Sequence, residues 1–236
     1  MNEKKPDFSN SAYLFPPINK EGFRFGSIAL VMAAMLTGAA FFVDWLWILV
    51  IPAFLLAYGV FLFFRDPERY PPDDQKAILS PADGRVCLVR EIEMPDTFGE
   101  MEAFKGRKFW CVSVFMSVFD VHVNRMPTAG EIVKRQYIPG KFINASLDKA
   151  SKDNERCNYL VKADDGSLYA VTQIAGLVAR RIVPQAEEGD HLNRVERFGL
   201  IRFGSRLDVY LPEGVKPEVR VGQIMVAGET VLGHLS

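Results

Sequence analysis

Apolar positions are concentrated near the start of the chain. Residues 25–43 and 45–64 form two apolar runs, and Asp44 is the charge between them. A helix needs roughly 20 apolar residues to cross the hydrocarbon core of a bilayer, and each run comes close to that length. The pattern predicts a polar segment over 1–24, followed by a membrane-associated helical hairpin over 25–64 that turns within Gly38–Asp44.

Two arrangements of this hairpin fit the sequence: the helices cross the membrane, or they lie partly in its interface. Lys20, Arg24, Arg65 and Arg69 flank the outer ends, and basic flanks favour the cytoplasmic side. We therefore expect both ends, and the residues that follow, to be cytoplasmic. A signal peptide fits poorly because the run starts late and lacks a clear cleavage site. A buried core hairpin of a soluble protein is the remaining alternative.

The pattern changes after this segment. Residues 65–76 are polar and rich in proline, as in a linker or surface loop. Runs of β-branched and aromatic residues predict strands over 84–93, 108–117, 168–176 and 206–212. We expect a mainly β domain over 77–236, an antiparallel sandwich or flattened barrel with a barrel-sandwich-like C-terminal part.

Composition narrows the possible functions. The formal net charge of −1 argues against a nucleic-acid-binding protein, which would need cations to neutralise phosphates. The mean hydropathy of +0.05 is high for a soluble protein and agrees with an apolar segment. Cys87, Cys111 and Cys157 have no metal-ligand spacing, so we interpret them as thiols of a reducing compartment and expect no metal site.

Candidate catalytic residues are few. Of three histidines, His122 ends an apolar strand before a proline turn, a position where sites are commonly built. His191 and His234 lie in a polar loop and at the C-terminus. Asp83 belongs to an Asp-Gly pair, which by itself indicates a turn. The Gly204–Ser205 pair directly precedes a predicted strand, and only its context makes it informative.

Five ordered segments carry a resemblance to a known family. The chain resembles phosphatidylserine decarboxylases, and in particular their short bacterial form. The apolar N-terminal segment matches as well, which implies attachment to a bacterial inner membrane. The matching segments are SPADGRV (80–86), MSVFDVHVNRMPTAGEI (116–132), PGKFINASLDKASKDNER (139–156), QIAGLVARRIV (173–183) and RFGSRLDVYLP (202–212).

The resemblance implies a self-processing enzyme. The Gly204–Ser205 bond would be cut autocatalytically into chains 1–204 and 205–236, and Ser205 would become a pyruvoyl group. His122 would be the base for this step and Asp83 its orienting partner. The pyruvoyl group would bind the substrate amine as a Schiff base, in place of pyridoxal phosphate, and convert phosphatidylserine to phosphatidylethanolamine. The expected partners are the bilayer, the chain's own cleaved part and, by resemblance only, a second heterodimer.

The chain departs from the pattern of longer members at two points. The cleavage point reads Phe203-Gly204-Ser205-Arg206 instead of Leu-Gly-Ser-Thr, and Arg125 replaces a second histidine three residues after His122. His122 would then serve both self-cleavage and decarboxylation. Arg125 stays protonated and suits an anion. The predicted substrate-binding cations are Arg125, Lys141, Arg202 and Arg206, with Arg180 and Arg181 as further candidates.

Two other functions remain open at this point. A membrane hairpin followed by a small β domain is also typical of non-enzymatic scaffold proteins, in which the chain would never be cut. The same chemistry could instead act on an ether-linked serine phospholipid, since no residue type distinguishes acyl from ether chains.

Overall fold

The computed structural model describes residues 16–99, 101–102, 104–140, 154–176, 181–202 and 205–235. These residues form two compact units, one ending at Glu68 and the other beginning at Arg69. The first unit is helical. The second is built almost entirely from antiparallel strands.

The helical unit is a hairpin. Helix α1 spans Lys20–Ala40, and helix α2 spans Trp47–Phe63 after a short 3-10 turn at Asp44–Leu46. Asn19 caps α1 by accepting a hydrogen bond from the backbone N–H of Glu21. At the open end, Ile18 and Arg65 form an antiparallel bridge. The predicted hairpin is therefore confirmed, although α1 continues through Gly38 and the reversal comes later.

Small residues bring the two helices together. Gly22, Gly26, Ala33 and Ala40 are the buried residues of α1. A Cβ atom at Gly26 would lie 2.4 Å from the ring of Phe61, so any larger residue would require the ring to move. Small residues of this kind mark close helix contacts in membranes. Both helical segments are long and apolar enough to cross a bilayer by length and composition, and most of their apolar side chains are exposed.

The second unit contains three antiparallel sheets. The eight-stranded sheet has the order β12-β2-β3-β11-β7-β6-β5-β9, a three-stranded sheet has the order β4-β10-β8, and β1 pairs with β13. The strands are β1 Ala77–Leu79, β2 Gly84–Glu93, β3 Lys108–Met116, β4 Val123–Arg125, β5 Gly130–Ile138, β6 Arg156–Ala163, β7 Leu168–Ala175, β8 Arg181–Pro184, β9 His191–Leu192, β10 Arg197–Arg202, β11 Ser205–Tyr210, β12 Ile224–Met225 and β13 Val231–His234. A short helix α3, Asp96–Gly99, precedes β3.

The large sheet separates two apolar clusters. Side chains alternate along each strand, so Leu207 and Val209 of β11 pack in the main core, whereas Tyr210 packs in a smaller cluster on the other face. The predicted mainly β, antiparallel fold is confirmed. The four predicted strands correspond to β2, β3, β7 and β11 within a few residues.

The chain changes sheets at one point that matters for function. Strand β10 ends at Arg202 in the three-stranded sheet, and β11 begins at Ser205 in the centre of the eight-stranded sheet. The described residues on either side of the Gly204–Ser205 bond therefore belong to different sheets.

Candidate active site

Ser205 occupies a central position in the large sheet. Its backbone lies opposite Met116 of β3 on one side and Ala175 of β7 on the other. The side chain is fully buried, and its Oγ lies 3.8 Å from Sδ of Met116. Gly204 lies outside the described residues. Strands on both sides hold residue 205 in place, away from water.

His122 is buried and its ring is oriented. It follows a turn in which the Asp120 carboxylate accepts hydrogen bonds from N and Oγ of Ser117, at 2.7 and 2.8 Å. The ring Nδ1 lies 2.9 Å from the backbone carbonyl oxygen of Asp120. A carbonyl can only accept, so Nδ1 carries the proton and the lone pair of the neutral ring is on Nε2. This tautomer can act as a base at Nε2.

The backbone places His122 beside the segment that leads to the predicted cut. The N–H of Ile201 donates to the carbonyl oxygen of His122 at 3.3 Å, and Val123 pairs with Leu200. The strand then ends at Arg202, and Ser205 begins the next one. The predicted base and the predicted nucleophile therefore belong to segments that meet at the same point of the fold.

A buried polar chain connects these segments, and sequence reasoning missed it. Asn124 Nδ2 lies 3.7 Å from the same Met116 sulfur that Ser205 contacts. Its Oδ1 accepts from Gln173 Nε2 at 2.8 Å, and Gln173 Oε1 accepts from the Tyr159 hydroxyl at 3.3 Å. Burial raises the pKa of Tyr159, which keeps its hydroxyl protonated as a donor. In the sequence, the signal for this polar chain was a polar residue inside an otherwise apolar strand.

Asp83 lies in the bend between β1 and β2. Its Oδ2 accepts from Arg69 Nη2 at 2.8 Å, and its Oδ1 accepts from the backbone N–H of Ala227 at 2.7 Å. The carbonyl of Pro81 accepts from the N–H of Arg125, so this bend adjoins the strand that follows His122. The contact described for His122 Nδ1 is the Asp120 carbonyl, and the orienting role of Asp83 stays a prediction.

Asp83 and Gly84 do not form the two-residue hairpin that an Asp-Gly pair often makes. They join β1 to β2, which lie in different sheets. Gly84 has a φ of +138°, and a Cβ atom there would lie 2.1 Å from the carbonyl oxygen of Phe115. Glycine is therefore required for β2 to begin against β3.

Arg206 is tightly bound within the protein. Its Nε and Nη2 donate to the two carboxylate oxygens of Asp208 at 2.6 and 2.7 Å, and both side chains are buried. Burial opposes the charge of Arg206, but the hydrogen bonds and charge of Asp208 raise the pKa of its guanidinium overall. In this arrangement the guanidinium is committed to Asp208. Its substrate-binding role stays a prediction.

The other predicted cations are distributed around the site. Arg125 is buried and donates from Nη1 to the carbonyl of Val195 at 3.2 Å. Arg202, the last residue of β10, lies directly opposite Arg181 of β8. Two neighbouring cations at a strand end favour an anion between them. Lys141 and Arg180 lie outside the described residues.

A cavity of about 460 Å³ opens on the other face of the large sheet. Its lining includes Arg206, Asp208, Thr172 and Asn158, but neither Ser205 nor His122. Along β11, Ser205 and Leu207 point to the main-core face and Arg206 and Asp208 to the opposite one. The cavity is therefore separate from the predicted cleavage point. Within the described part of the chain, no group of His, Cys, Asp and Glu side chains is arranged to hold a metal ion.

Comparison with known proteins points to the same family that the sequence resembles. The sequence model of the family described as phosphatidylserine decarboxylase matches residues 57–233. A phosphatidylserine decarboxylase proenzyme of Zymomonas mobilis is 48% identical over 221 residues, covering 94% of this chain and 88% of the relative. The proenzyme of Erythrobacter litoralis is 50% identical over 230 residues, covering 95% and 90%. That of Ruegeria pomeroyi is 56% identical over 180 residues, covering 76% and 80%.

Proposed function

Since the chain belongs to the phosphatidylserine decarboxylase family, we propose that it converts phosphatidylserine to phosphatidylethanolamine with a pyruvoyl group made from its own Ser205. The observation that carries the proposal is the position of Ser205. It is a buried serine at the first residue of a central strand, with the His122 segment against the strand before it.

Self-cleavage would begin at the Ser205 hydroxyl. His122 Nε2 accepts the hydroxyl proton while Oγ attacks the Gly204 carbonyl carbon, and the amide becomes an ester as the amine of residue 205 is released. A base then removes the α-proton of residue 205, the Cβ–Oγ bond breaks, and Gly204 leaves as a carboxylate. Water hydrolyses the remaining dehydroalanine to a pyruvoyl group and ammonia.

The surroundings of residue 205 fit such a group. Strands β3 and β7 hold its backbone on both sides, so a carbonyl formed there keeps its position. When present, the pyruvoyl group supplies an electron-withdrawing carbonyl that takes up the electron pair left on the substrate carbon when carbon dioxide departs. His122 Nε2 can return a proton to the carbon that has lost carbon dioxide. This second use of His122 agrees with Arg125 in the place of a second histidine.

The substrate headgroup needs cations for its phosphate. Arg202 and Arg181 are cross-strand neighbours at the end of β10, next to the segment that leads to Ser205. We assign them the phosphate, because side chains of directly paired residues lie on the same face of the sheet and both cations can bind one anion. Lys141, Arg125 and Arg206 remain predicted contacts.

Replacement of Ser205 tests the proposal. Purified Ser205→Ala protein should form no phosphatidylethanolamine from phosphatidylserine vesicles, since neither the nucleophile nor the pyruvoyl precursor is present. Ser167→Ala, at a half-buried serine of the β6–β7 turn, is the matched control and should retain wild-type activity. Decarboxylation by Ser205→Ala protein, or wild-type activity that requires added pyridoxal phosphate, would refute the proposal. Parallel assays with ester- and ether-linked substrates would identify the lipid preferred.

A further inference from the structure

Asn124 connects the strand that follows His122 to both strands that flank Ser205. Its Oδ1 accepts a hydrogen bond from Gln173 Nε2 of β7 at 2.8 Å, and its Nδ2 lies 3.7 Å from Met116 Sδ of β3. Strands β3 and β7 are the two neighbours of β11, which begins at Ser205. One amide side chain therefore attaches β4 to the strands on either side of the predicted nucleophile.

The direction of each hydrogen bond in this chain is set from its far end. The buried Tyr159 hydroxyl donates to Gln173 Oε1 at 3.3 Å, because burial raises the pKa of Tyr159 and keeps the phenol protonated. Gln173 therefore presents Nε2 to Asn124. Asn124 in turn presents Oδ1 to Gln173 and Nδ2 to the Met116 sulfur. An amide with a defined partner for each of its two ends has one orientation.

The strand paired with β4 leaves room for this polar chain. Asn124 lies opposite Gly199 of β10. A Cβ atom at position 199 would lie 3.0 Å from Gln173 Nε2 and 2.9 Å from the carbonyl oxygen of Val183. A side chain there would press on the amide, so glycine lets β10 pass close to it. The small sheet and the large sheet are joined by polar atoms at this point of an apolar core.

The position of Asn124 also determines the position of His122. The two are separated by one residue, and side chains alternate along a strand, so both face the same side. His122 continues the pairing of β4 with β10, since its carbonyl accepts from the N–H of Ile201 at 3.3 Å. The Met116 sulfur near Asn124 also lies 3.8 Å from Ser205 Oγ. Asn124 is therefore linked to the predicted base through the backbone and to the predicted nucleophile through the sulfur.

We propose that Asn124 is a positioning residue that aligns His122 with Ser205. Gln173 and Tyr159 act through it, because they set the orientation of its amide. The inference rests on the proposed function, in which His122 serves both self-cleavage and decarboxylation. A thioether accepts hydrogen bonds weakly, so the sulfur orients the Ser205 hydroxyl and still releases its proton to the base. The amide itself exchanges no proton; it holds the strands at the separation that proton transfer requires.

Two matched tyrosine variants test the positioning role. Tyr159→Phe removes only the hydroxyl at the far end of the chain and keeps the ring in the core. Without this donor, the amides of Gln173 and Asn124 can take either orientation, so we expect the first-order rate of self-cleavage to fall roughly tenfold. Tyr169→Phe is the control, because it removes another buried hydroxyl of the same core, one that accepts from Thr128 Oγ1 at 3.1 Å. It should be cut at the wild-type rate.

Pulse labelling of newly made chains, followed by denaturing gel electrophoresis, measures the rate of self-cleavage. Thermal unfolding of each tyrosine variant in an uncut Ser205→Ala background measures its stability separately. Each variant loses one buried hydrogen bond, so we expect similar losses of stability and a slower cut for Tyr159→Phe alone. Equal cutting rates for Tyr159→Phe and Tyr169→Phe would overturn the proposal, and so would rates that simply follow the loss of stability.

Removal of the whole polar chain separates positioning from stability. Asn124→Leu alone leaves the buried Gln173 amide without its partner, which destabilises the fold. Adding Gln173→Leu and Tyr159→Phe removes the other polar groups of the chain, so the triple variant should regain most of the thermal stability. It should still be cut roughly 100-fold more slowly than the wild type. Recovery of the cutting rate together with the stability would show a purely structural role and overturn the proposal.

Decarboxylation gives a readout that the folded fraction does not change. In Tyr159→Phe protein, kcat per pyruvoyl group should fall, whereas KM for phosphatidylserine should keep its wild-type value, because the cations assigned to the phosphate, Arg202 and Arg181, are untouched. A raised KM with an unchanged kcat would overturn the proposal. A wild-type chain that is never cut would refute the proposed function and this inference with it. A normally cut wild type with an unaffected Tyr159→Phe variant would refute the inference alone.

Discussion

At the scale of single residues, the site depends on how one histidine ring is held. The Asp120 carbonyl fixes the proton of His122 on Nδ1, which leaves Nε2 as the basic atom. The turn that provides this carbonyl is itself fixed by Ser117 and the Asp120 carboxylate. The orientation of the predicted base is therefore determined mainly by a backbone group.

His122→Ala should give an uncut, inactive chain, because a buried serine hydroxyl needs a base to attack the preceding carbonyl. Denaturing gel electrophoresis of the purified protein measures this result. His191→Ala is the matched control, since His191 is exposed and bonded to Asp164 at 2.8 Å, and it should be cut normally. Normal cutting of His122→Ala would move the self-processing base to another residue.

Part of this site could be predicted from the sequence. The small number of histidines made His122 a candidate, and the resemblance assigned roles to His122, Ser205 and Asp83, which stay predictions. The Asp120 contact could not be predicted, because any residue supplies a carbonyl. Asn124 and Gln173 were missed because their amides satisfy each other across two strands that are 49 positions apart. Only the fold places such residues together.

At the scale of secondary structure, the strands differ in how clearly the sequence pattern predicts them. Apolar alternation predicted β2 over its observed length, Gly84–Glu93. Strand β5 was not predicted, because its exposed half carries charged residues such as Glu131, Lys134 and Arg135. Its partner β6 is buried along most of its length but contains Arg156 and Asn158. Pairing with neighbours, and not local pattern, defines these strands.

The helical hairpin depends on the approach permitted by glycine. Gly26→Leu should separate the helices, because even a Cβ atom would collide with the Phe61 ring. Gly38→Leu is the control, since no atom lies within 4 Å of a Cβ atom placed there. Cysteines introduced at Ile18 and Arg65, which form the antiparallel bridge, measure how closely the two helices approach, because the yield of a disulfide between them depends on their separation. We expect a reduced yield with Gly26→Leu only; an unchanged yield would contradict the close packing.

Strand β13 ends in a histidine whose charge depends on pH. The hydrogen bond that His234 Nδ1 donates to the Glu218 carboxylate, at 2.6 Å, is the main cause that raises the pKa of His234 above 6.5. Because the pKa of His234 is higher in the folded state than in the unfolded state, the contact stabilises the fold fully at a pH below the unfolded-state pKa. This stabilisation is lost as the pH rises through the folded-state pKa. His234→Ala should therefore lower the thermal midpoint more at about pH 6 than at about pH 9.

Glu218→Gln serves as the control for His234, because it removes the carboxylate and should abolish most of this pH dependence. Titration of the His234 ring by NMR gives the pKa directly. A value at or below the ordinary 6.5 would show that the contact with Glu218 does not stabilise the charged ring.

At the scale of the whole molecule, the topology explains how the chain could be cut and remain folded. The residues after the predicted cut supply β11, β12 and β13, which pair with β3 and β7, with β2 and with β1. Each of these partners precedes the cut. The two products would therefore share a large sheet and a common core, and separation would require unfolding of both.

The intact mass of the purified protein under denaturing conditions tests the central claim most directly. We expect two masses, those of residues 1–204 and of residues 205–236 with a pyruvoyl group in place of Ser205. Under native conditions the same sample should show the two chains together, and Ser205→Ala should give one full-length mass. A single full-length mass for the wild type, or a cut at a different bond, would contradict the account.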